Sequence, residues 1–163
     1  VSDPTETYRS HLLAILRAQS RIMAYRLNLF VQDSLPVLLT LKNPRLSIET
    51  CLKPIMDFLT IYLQFLSNWL YSDNFRRILE CLWIFIVQDF ELELSKLETM
   101  EKDTEKKAHL LIQTLSHLLK FMNSQDQSMQ KELLLSQADE VSFRLQLFTL
   151  PTLKLISVYR GLQ

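Results

Sequence analysis

The sequence is almost without glycine: Gly161 is the only one among 163 residues, where average usage of about 7% would supply about eleven. Beta sandwiches and barrels need glycine at turns and bulges, and nucleotide-binding α/β folds need it where the backbone approaches a phosphate. The P-loop, the dinucleotide-binding fingerprint and the nucleophile elbow each require at least two glycines close together. The composition therefore excludes these motifs and favours an all-helical chain.

Long apolar runs, an excess of one charge and a cysteine framework are also missing. The longest apolar run, Cys81 to Val87, is far shorter than the roughly 20 residues that span a bilayer. The 18 basic residues balance the 18 acidic ones, which argues against a nucleic-acid partner held by net charge. Cys51 and Cys81 lie in apolar helical patterns, so we predict two buried free thiols.

Apolar residues at spacings of three and four predict an antiparallel bundle of four long and one or two short helices, within one module covering residues 1–163. The first helix should follow the cap at Asp3-Pro4, run to about Asp33 and stop before Pro36. A short helix or an irregular passage is expected at Val37 to Leu41, before a second break at Asn43-Pro44. The predicted inward stripe of the first helix is Tyr8, Leu12, Leu16, Met23, Leu27 and Phe30.

The second helix should begin at about Ser47, with Pro54 either preceding its regular part or kinking it. Its predicted inward stripe is Ile48, Leu52, Ile55, Leu59, Tyr62, Leu66 and Trp69. A second apolar stripe on the same helix indicates that it is covered on more than one side. That stripe is Phe58, Phe65 and Leu70.

The third helix should begin at the cap Ser72-Asp73 and is apolar almost all round from Ile78 to Val87, which indicates the central helix of the bundle. Its inward stripe is Phe75, Leu79, Leu82, Ile86, Phe90 and Leu94. The polar segment Glu98 to Lys107 should form an exposed connection to the fourth helix. A capping-box pattern at Ser136 to Asp139 predicts the start of a fifth, and a last short helix should begin near Thr149 to Thr152.

No residue pattern in the chain indicates catalysis. His109 and His117 are eight positions apart, or roughly 12 Å along one helix, which is too far to share a metal. The Glu-x-x-His pattern of di-iron bundles is absent from the sequence. Aromatic residues at helical spacing are interpreted as core and not as the lining of a ligand pocket. These are Phe58, Tyr62, Phe65, Trp69, Phe75, Trp83, Phe85 and Phe90. We therefore predict no enzymatic activity, no metal and no cofactor.

Four arginines of the first helix are the most notable basic positions. They are predicted to share one broad face, opposite much of the apolar stripe. An ordinary solvated face is the first interpretation, and a docking surface for an anionic lipid or an acidic helix is the second. The four residues are Arg9, Arg17, Arg21 and Arg26.

The stretch Leu52 to Asp89 resembles the second homology segment of the MUN domain in the Munc-thirteen family of exocytosis priming factors. The shared pattern is a Met-x-aromatic-Leu opening, leucines at heptad-like positions and then Asn-Phe-x-Arg-x-Leu-x-x-Leu-Trp. Its key positions here are Met56, Phe58, Leu59, Asn74, Phe75, Arg77, Leu82 and Trp83. The family's closing pattern, Thr-x-x-Leu-Ile followed by an aromatic residue, matches Thr152, Leu155, Ile156 and Tyr159.

The resemblance covers residues 45–163 and implies the end segment of a long helical rod, similar to subunits of vesicle-tethering complexes. Residues 1–44 are then a preceding helix packed on that segment, and the matched residues are expected to be core positions. Because the chain begins Val-Ser-Asp-Pro without methionine, we expect it to be a piece of a longer protein.

The function implied by the resemblance is that of a non-enzymatic module of a vesicle priming or tethering factor. The implied partners are SNARE proteins or other exocytic machinery and neighbouring domains of the parent protein, with an anionic membrane as a further contact and no nucleic acid. The implied location is cytoplasmic, peripheral to the vesicle or plasma membrane. Two other interpretations stay open: a secreted four-helix cytokine and a membrane-surface helical scaffold.

Thiol titration separates the cytokine from the cytoplasmic rod. We expect two free thiols in the folded chain, because a cytoplasmic protein is kept reduced. A bridge between Cys51 and Cys81 would instead count against the cytoplasmic rod and favour the secreted protein.

Overall fold

Six α-helices make up nearly all of the described chain. The computed structural model describes residues 3–40, 45–100 and 102–162. The helices are α1 (Pro4–Thr40), α2 (Ile48–Trp69), α3 (Ser72–Glu98), α4 (Thr104–Gln125), α5 (Lys131–Leu147) and α6 (Thr152–Leu162). The prediction of an all-α bundle is confirmed.

The core of the bundle is built around α3. All six residues of its predicted inward stripe are buried, and so are Ile78, Trp83 and Val87 on its other faces. Helices α1, α2, α4 and α5 all contact α3. The prediction that this helix is central is therefore confirmed. The expected cover on every side is wrong, because Ile84 and Leu92 are 41% and 50% exposed on one side of α3.

Cross-helix contacts define the directions of the helices. The rings of Tyr25 and Phe85 meet edge to face at 5.9 Å, and Asn28 bonds Asp89 one turn further along, so α1 and α3 run parallel. Helix α4 runs the other way, because Arg76 at the start of α3 lies 3.6 Å from Asp126 after the end of α4. The alternation is that of an up-and-down bundle.

Helix α1 does not end at Asp33 as predicted but continues through Pro36 to Thr40. Proline removes one backbone hydrogen bond from a helix interior, which is why a stop was expected. Leu35 and Leu38 are buried on either side of Pro36, and their burial holds this turn in the helix. The predicted irregular passage at Val37 to Leu41 is therefore wrong as far as Thr40, while Leu41 and Asn43-Pro44 lie outside the described residues.

The buried face of α1 also differs from the predicted stripe. The structure buries Ser20, Ala24, Leu27, Asn28, Val31, Leu35 and Leu38, whereas Tyr8 and Leu12 are 71% and 61% exposed. Since Tyr25 and Asn28 lie beside Phe85 and Asp89, the start of α3 lies about level with Leu12. The first turns of α1 extend past the end of their neighbour, and their apolar residues remain uncovered.

Of two other predicted helix starts, the one at Ser47 is confirmed and the one at Ser136 is wrong. Ser47 caps α2 as expected, because its hydroxyl accepts a 3.3 Å hydrogen bond from the amide of Thr50. Pro54 lies inside this helix, which begins before it at Ile48. The predicted start of α5 at Ser136 is wrong: α5 begins at Lys131, and the Ser136 hydroxyl donates to the carbonyl of Leu133 within the helix.

A polar pair is buried in the seam between α1 and α3. The Asn28 amide donates a 2.8 Å hydrogen bond to a carboxylate oxygen of Asp89, and neither side chain is more than 9% exposed. Burial raises the pKa of Asp89 from 3.8 to about 6, the Asn28 hydrogen bond opposes this rise, and the charge of Glu93 adds to it. Glu93 itself is paired at 2.6 Å with Lys96.

Protonation of Asp89 should therefore stabilise the fold. The folded state keeps this proton to a higher pH than the unfolded chain does, so stability should fall as pH rises from about 4 through about 6. Asp89→Asn should flatten that dependence and raise the free energy of unfolding at pH 7 by roughly 1–3 kcal/mol. Urea denaturation at a series of pH values measures the effect.

The matched control for Asp89→Asn is Asp139→Asn, at an exposed position on α5. The control should keep the pH profile of the wild-type chain. If the two variants show the same dependence of the unfolding free energy on pH, the prediction is wrong, because Asp89 would then ionise in the folded chain as it does in the unfolded chain.

Candidate partner-binding groove

An apolar groove of about 580 Å³ lies between α1 and α2. The lining residues are Met23, Arg26 and Leu27 of α1 and Phe58, Ile61, Tyr62, Phe65 and Leu66 of α2. Phe30 of α1 stacks on Phe58 of α2, and these residues lie ten positions before the end of α1 and ten positions after the start of α2, so the two walls run antiparallel. Seven of the eight lining residues carry apolar or aromatic side chains, and Arg26 carries the one formal charge.

Stacked aromatic rings form the wall on α2 and tie it to α1. Phe30 stacks on Phe58 at 4.2 Å between ring centroids, and Phe58 lies 4.6 Å from Tyr62. Phe65 and Trp69 make a second, looser pair at 6.1 Å. Aromatic contacts at these distances stabilise the wall beyond the area that they bury, so the groove is a fixed feature of the helix pair.

Large apolar side chains at the groove remain exposed to solvent. Ile61 is 64% exposed, Phe65 58% and Trp69 76%. The same helix buries Leu52, Ile55, Leu59 and Leu63 along its inner face. The prediction that α2 is covered on more than one side holds for Phe58 and Leu70, which are half-buried against the core, and is wrong for Phe65. The predicted inward residues Tyr62 and Trp69 also lie on the exposed side.

The sequence signal for this surface is the lack of charge on one helix wall. From Phe58 to Trp69 the sequence FLTIYLQFLSNW has no charged residue, although this stretch includes the solvent side of α2. The aromatic residues were interpreted as core, and for Phe75, Trp83 and Phe90 that is correct. Phe58, Tyr62 and Phe65 instead line the groove.

The four predicted arginines do not form one surface. All four are exposed, but Arg26 alone among them lines the groove. Arg26 follows Arg21 by five positions, which places the two side chains about 140° apart around the helix axis. The prediction that they share one face is wrong, because this rotation places Arg26 towards α2 and away from the others.

The residues matched to the family pattern divide into three groups. Leu59, Phe75, Leu82 and Trp83 are buried, whereas Met56, Phe58, Asn74, Arg77 and Leu155 are half-buried. Ile156 and Tyr159 are exposed, so the expectation that they are core positions is wrong. Helix α6 makes few contacts with the other helices, which leaves most of its apolar residues exposed. Thr152 is the first residue of α6.

Asn74 and Arg77 have a local structural role. The Asn74 side-chain oxygen accepts a 3.2 Å hydrogen bond from the Arg77 guanidinium, three residues later in the first turns of α3. Both residues lie outside the groove lining. Among the matched residues, Phe58 is the one that reaches the groove.

Two of the three histidines lie in separate pairs with glutamates. His117 of α4 lies 3.6 Å from Glu49 of α2, and His109 lies 3.8 Å from Glu105 within α4. Among the described residues there is no group of three or more histidine, cysteine and acidic side chains placed to hold a metal. A concavity at the start of α4 is lined by Asp103, Thr104, Glu105, Lys106 and His109; its lining is mostly charged.

Both cysteines are free thiols and are half-buried. Burial, together with the charge of Glu80, raises the pKa of the Cys81 thiol, while Arg21 acts in the opposite direction. A raised thiol pKa lowers nucleophilic reactivity. The prediction of free thiols agrees with the structure, and the predicted full burial does not.

Comparison with protein families, with curated proteins and with solved structures found no match for this chain. In residues 3–40, 45–100 and 102–162, no helix is both long enough and apolar enough to cross a membrane. Assignment of a function therefore depends on the groove and on the sequence resemblance.

Proposed function

We propose that this chain is a non-enzymatic helix-docking module of a vesicle priming or tethering factor in exocytosis. The observation that carries the proposal is the groove between α1 and α2, with Ile61, Phe65 and Trp69 exposed beside it. Exposed apolar clusters of this kind mark sites of protein interaction or of membrane interaction.

The dimensions of the groove suit an amphipathic helix. Phe58 and Phe65 are seven residues apart on α2, or about 10.5 Å at 1.5 Å per residue. An amphipathic helix presents apolar anchors at i, i+3, i+4 and i+7, which span the same length. The two antiparallel walls would enclose such a stripe from both sides, while the open side of the groove leaves the polar face of the partner in water.

The exocytic setting comes from the resemblance to the MUN domain. SNARE motifs are long amphipathic helices, and they are the partners that the resemblance implies. Under this proposal the module acts in the cytoplasm at the vesicle or plasma membrane, with neighbouring domains of the parent protein.

A membrane-surface scaffold is the second candidate. Tyr8, Leu12 and Ile15 are exposed on the first turns of α1, close in sequence to Arg9 and Arg17. Aromatic and basic side chains together favour an anionic lipid surface. Flotation with anionic vesicles at increasing salt tests this candidate, because charge-driven binding weakens as salt rises.

Two groove substitutions test the helix-docking proposal. Ile61→Ser and Phe65→Ser should each weaken binding of a soluble SNARE motif at least about tenfold, because each removes an apolar anchor from the contact. Fluorescence anisotropy of the labelled SNARE motif measures the affinity. Helical content and thermal unfolding should change little, since both side chains are more than half exposed in the unbound chain.

Leu92→Ser is the matched control, because Leu92 is 50% exposed on α3 and does not line the groove. It should bind as the wild-type chain does. The docking proposal fails if the groove variants retain full affinity or if the control loses as much.

A further inference from the structure

We infer that the helix accepted by this groove is acidic along the edge of its apolar stripe and pairs a carboxylate with Arg26. The inference rests on the proposed function, since it specifies the chemistry of the partner that the groove would bind. Arg26 lines the groove and is exposed. Within the part of the chain that the structure describes, its guanidinium makes no ion pair.

The two helix segments that form the walls of the groove contain no acidic residue. The α2 wall from Phe58 to Trp69 has no charged residue, and α1 from Thr7 to Gln32 has four arginines and no acidic residue. The nearest acidic residue of α2 in sequence, Asp57, already lies 2.7 Å from the ammonium of Lys53. Among the described residues that line the groove, Arg26 is the one that carries a formal charge.

The apolar surroundings strengthen the electrostatic interactions of Arg26. Docking of a helix would exclude water around Arg26, and Coulomb interactions are stronger where the effective dielectric constant is lower. A partner lysine beside Arg26 would be repelled, whereas a glutamate or aspartate would form a charge-assisted hydrogen bond. The site therefore discriminates between helices with the same apolar stripe by the sign of the charge that each helix places beside Arg26.

The same charge distribution favours a protein helix over a lipid surface at this site. Binding to anionic membranes draws on several basic residues on one face, and Arg9, Arg17 and Arg21 do not line the groove. One arginine beside two apolar walls instead matches a partner with one or two acidic positions and a continuous apolar stripe.

The test uses two synthetic amphipathic helices of about 18 residues with the same leucine stripe. One has glutamates along both edges of the stripe and the other has lysines at the same positions. Each is titrated against the 163-residue chain and its Arg26→Gln and Arg26→Glu variants, at about 0.1 M and about 0.5 M salt. Vesicles of phosphatidylcholine with roughly one-third phosphatidylserine form a separate arm.

The wild-type chain should bind the acidic peptide about fivefold more tightly than the basic one at the lower salt. Arg26→Gln should remove most of that preference and Arg26→Glu should reverse it. Arg21→Glu is the control, because it changes net charge equally on the same helix but lies outside the groove lining. It should keep the acidic preference.

The possible failures are distinguishable. Equal affinity of the wild-type chain for both peptides overturns the inference and leaves the helix-docking proposal standing. An acidic preference that survives Arg26→Glu overturns the role of Arg26. Absence of binding to either peptide, or binding to the vesicles alone, overturns both the inference and the helix-docking proposal.

Discussion

The burial of most of α3 beneath four other helices is the constraint on which the rest of the structure depends. Its buried apolar residues, with Trp83 and Phe90 fully buried, are covered by α1, α2, α4 and α5. Helix α1 provides the most extensive cover, and α2 the least. Because α2 contributes one narrow seam to the core, its aromatic face is left beside α1 and open to solvent. The groove is thus a consequence of how the central helix is covered.

The seam between α1 and α3 also contains a buried polar pair, whose burial is unfavourable, unlike that of the apolar residues around it. Asn28 and Asp89 place polar atoms in a largely apolar seam, and the side-chain oxygen of Asn28 is buried without a hydrogen-bond partner among the described residues. Burial of polar groups is unfavourable unless they are bonded. The hydrogen bond of this pair joins α1 to α3 two positions after Arg26, which lines the groove formed with α2.

Sequence periodicity predicted the inward stripe of α3 completely, because a helix packed against four others buries most of its apolar residues. The predictions from periodicity failed where the burial of an apolar residue depends on whether a neighbouring helix reaches it. Tyr8 and Leu27 fit the same helical stripe, yet one lies in the first turns of α1, past the start of α3, and the other is covered. In the groove, the aromatic spacing of Phe58 and Phe65 is visible in the sequence. The contribution of Arg26 from another helix is not, since it arises from packing.

The most direct test of the account is a nuclear magnetic resonance titration of the isotope-labelled chain with soluble SNARE motifs. The account predicts saturable shifts of backbone amides along both walls of the groove, around Met23 to Leu27 and Phe58 to Leu66, with little change elsewhere. Saturable shifts confined to another surface, such as Asp103 to His109 at the start of α4, would contradict it. Spectra unchanged by every SNARE motif would contradict it as well.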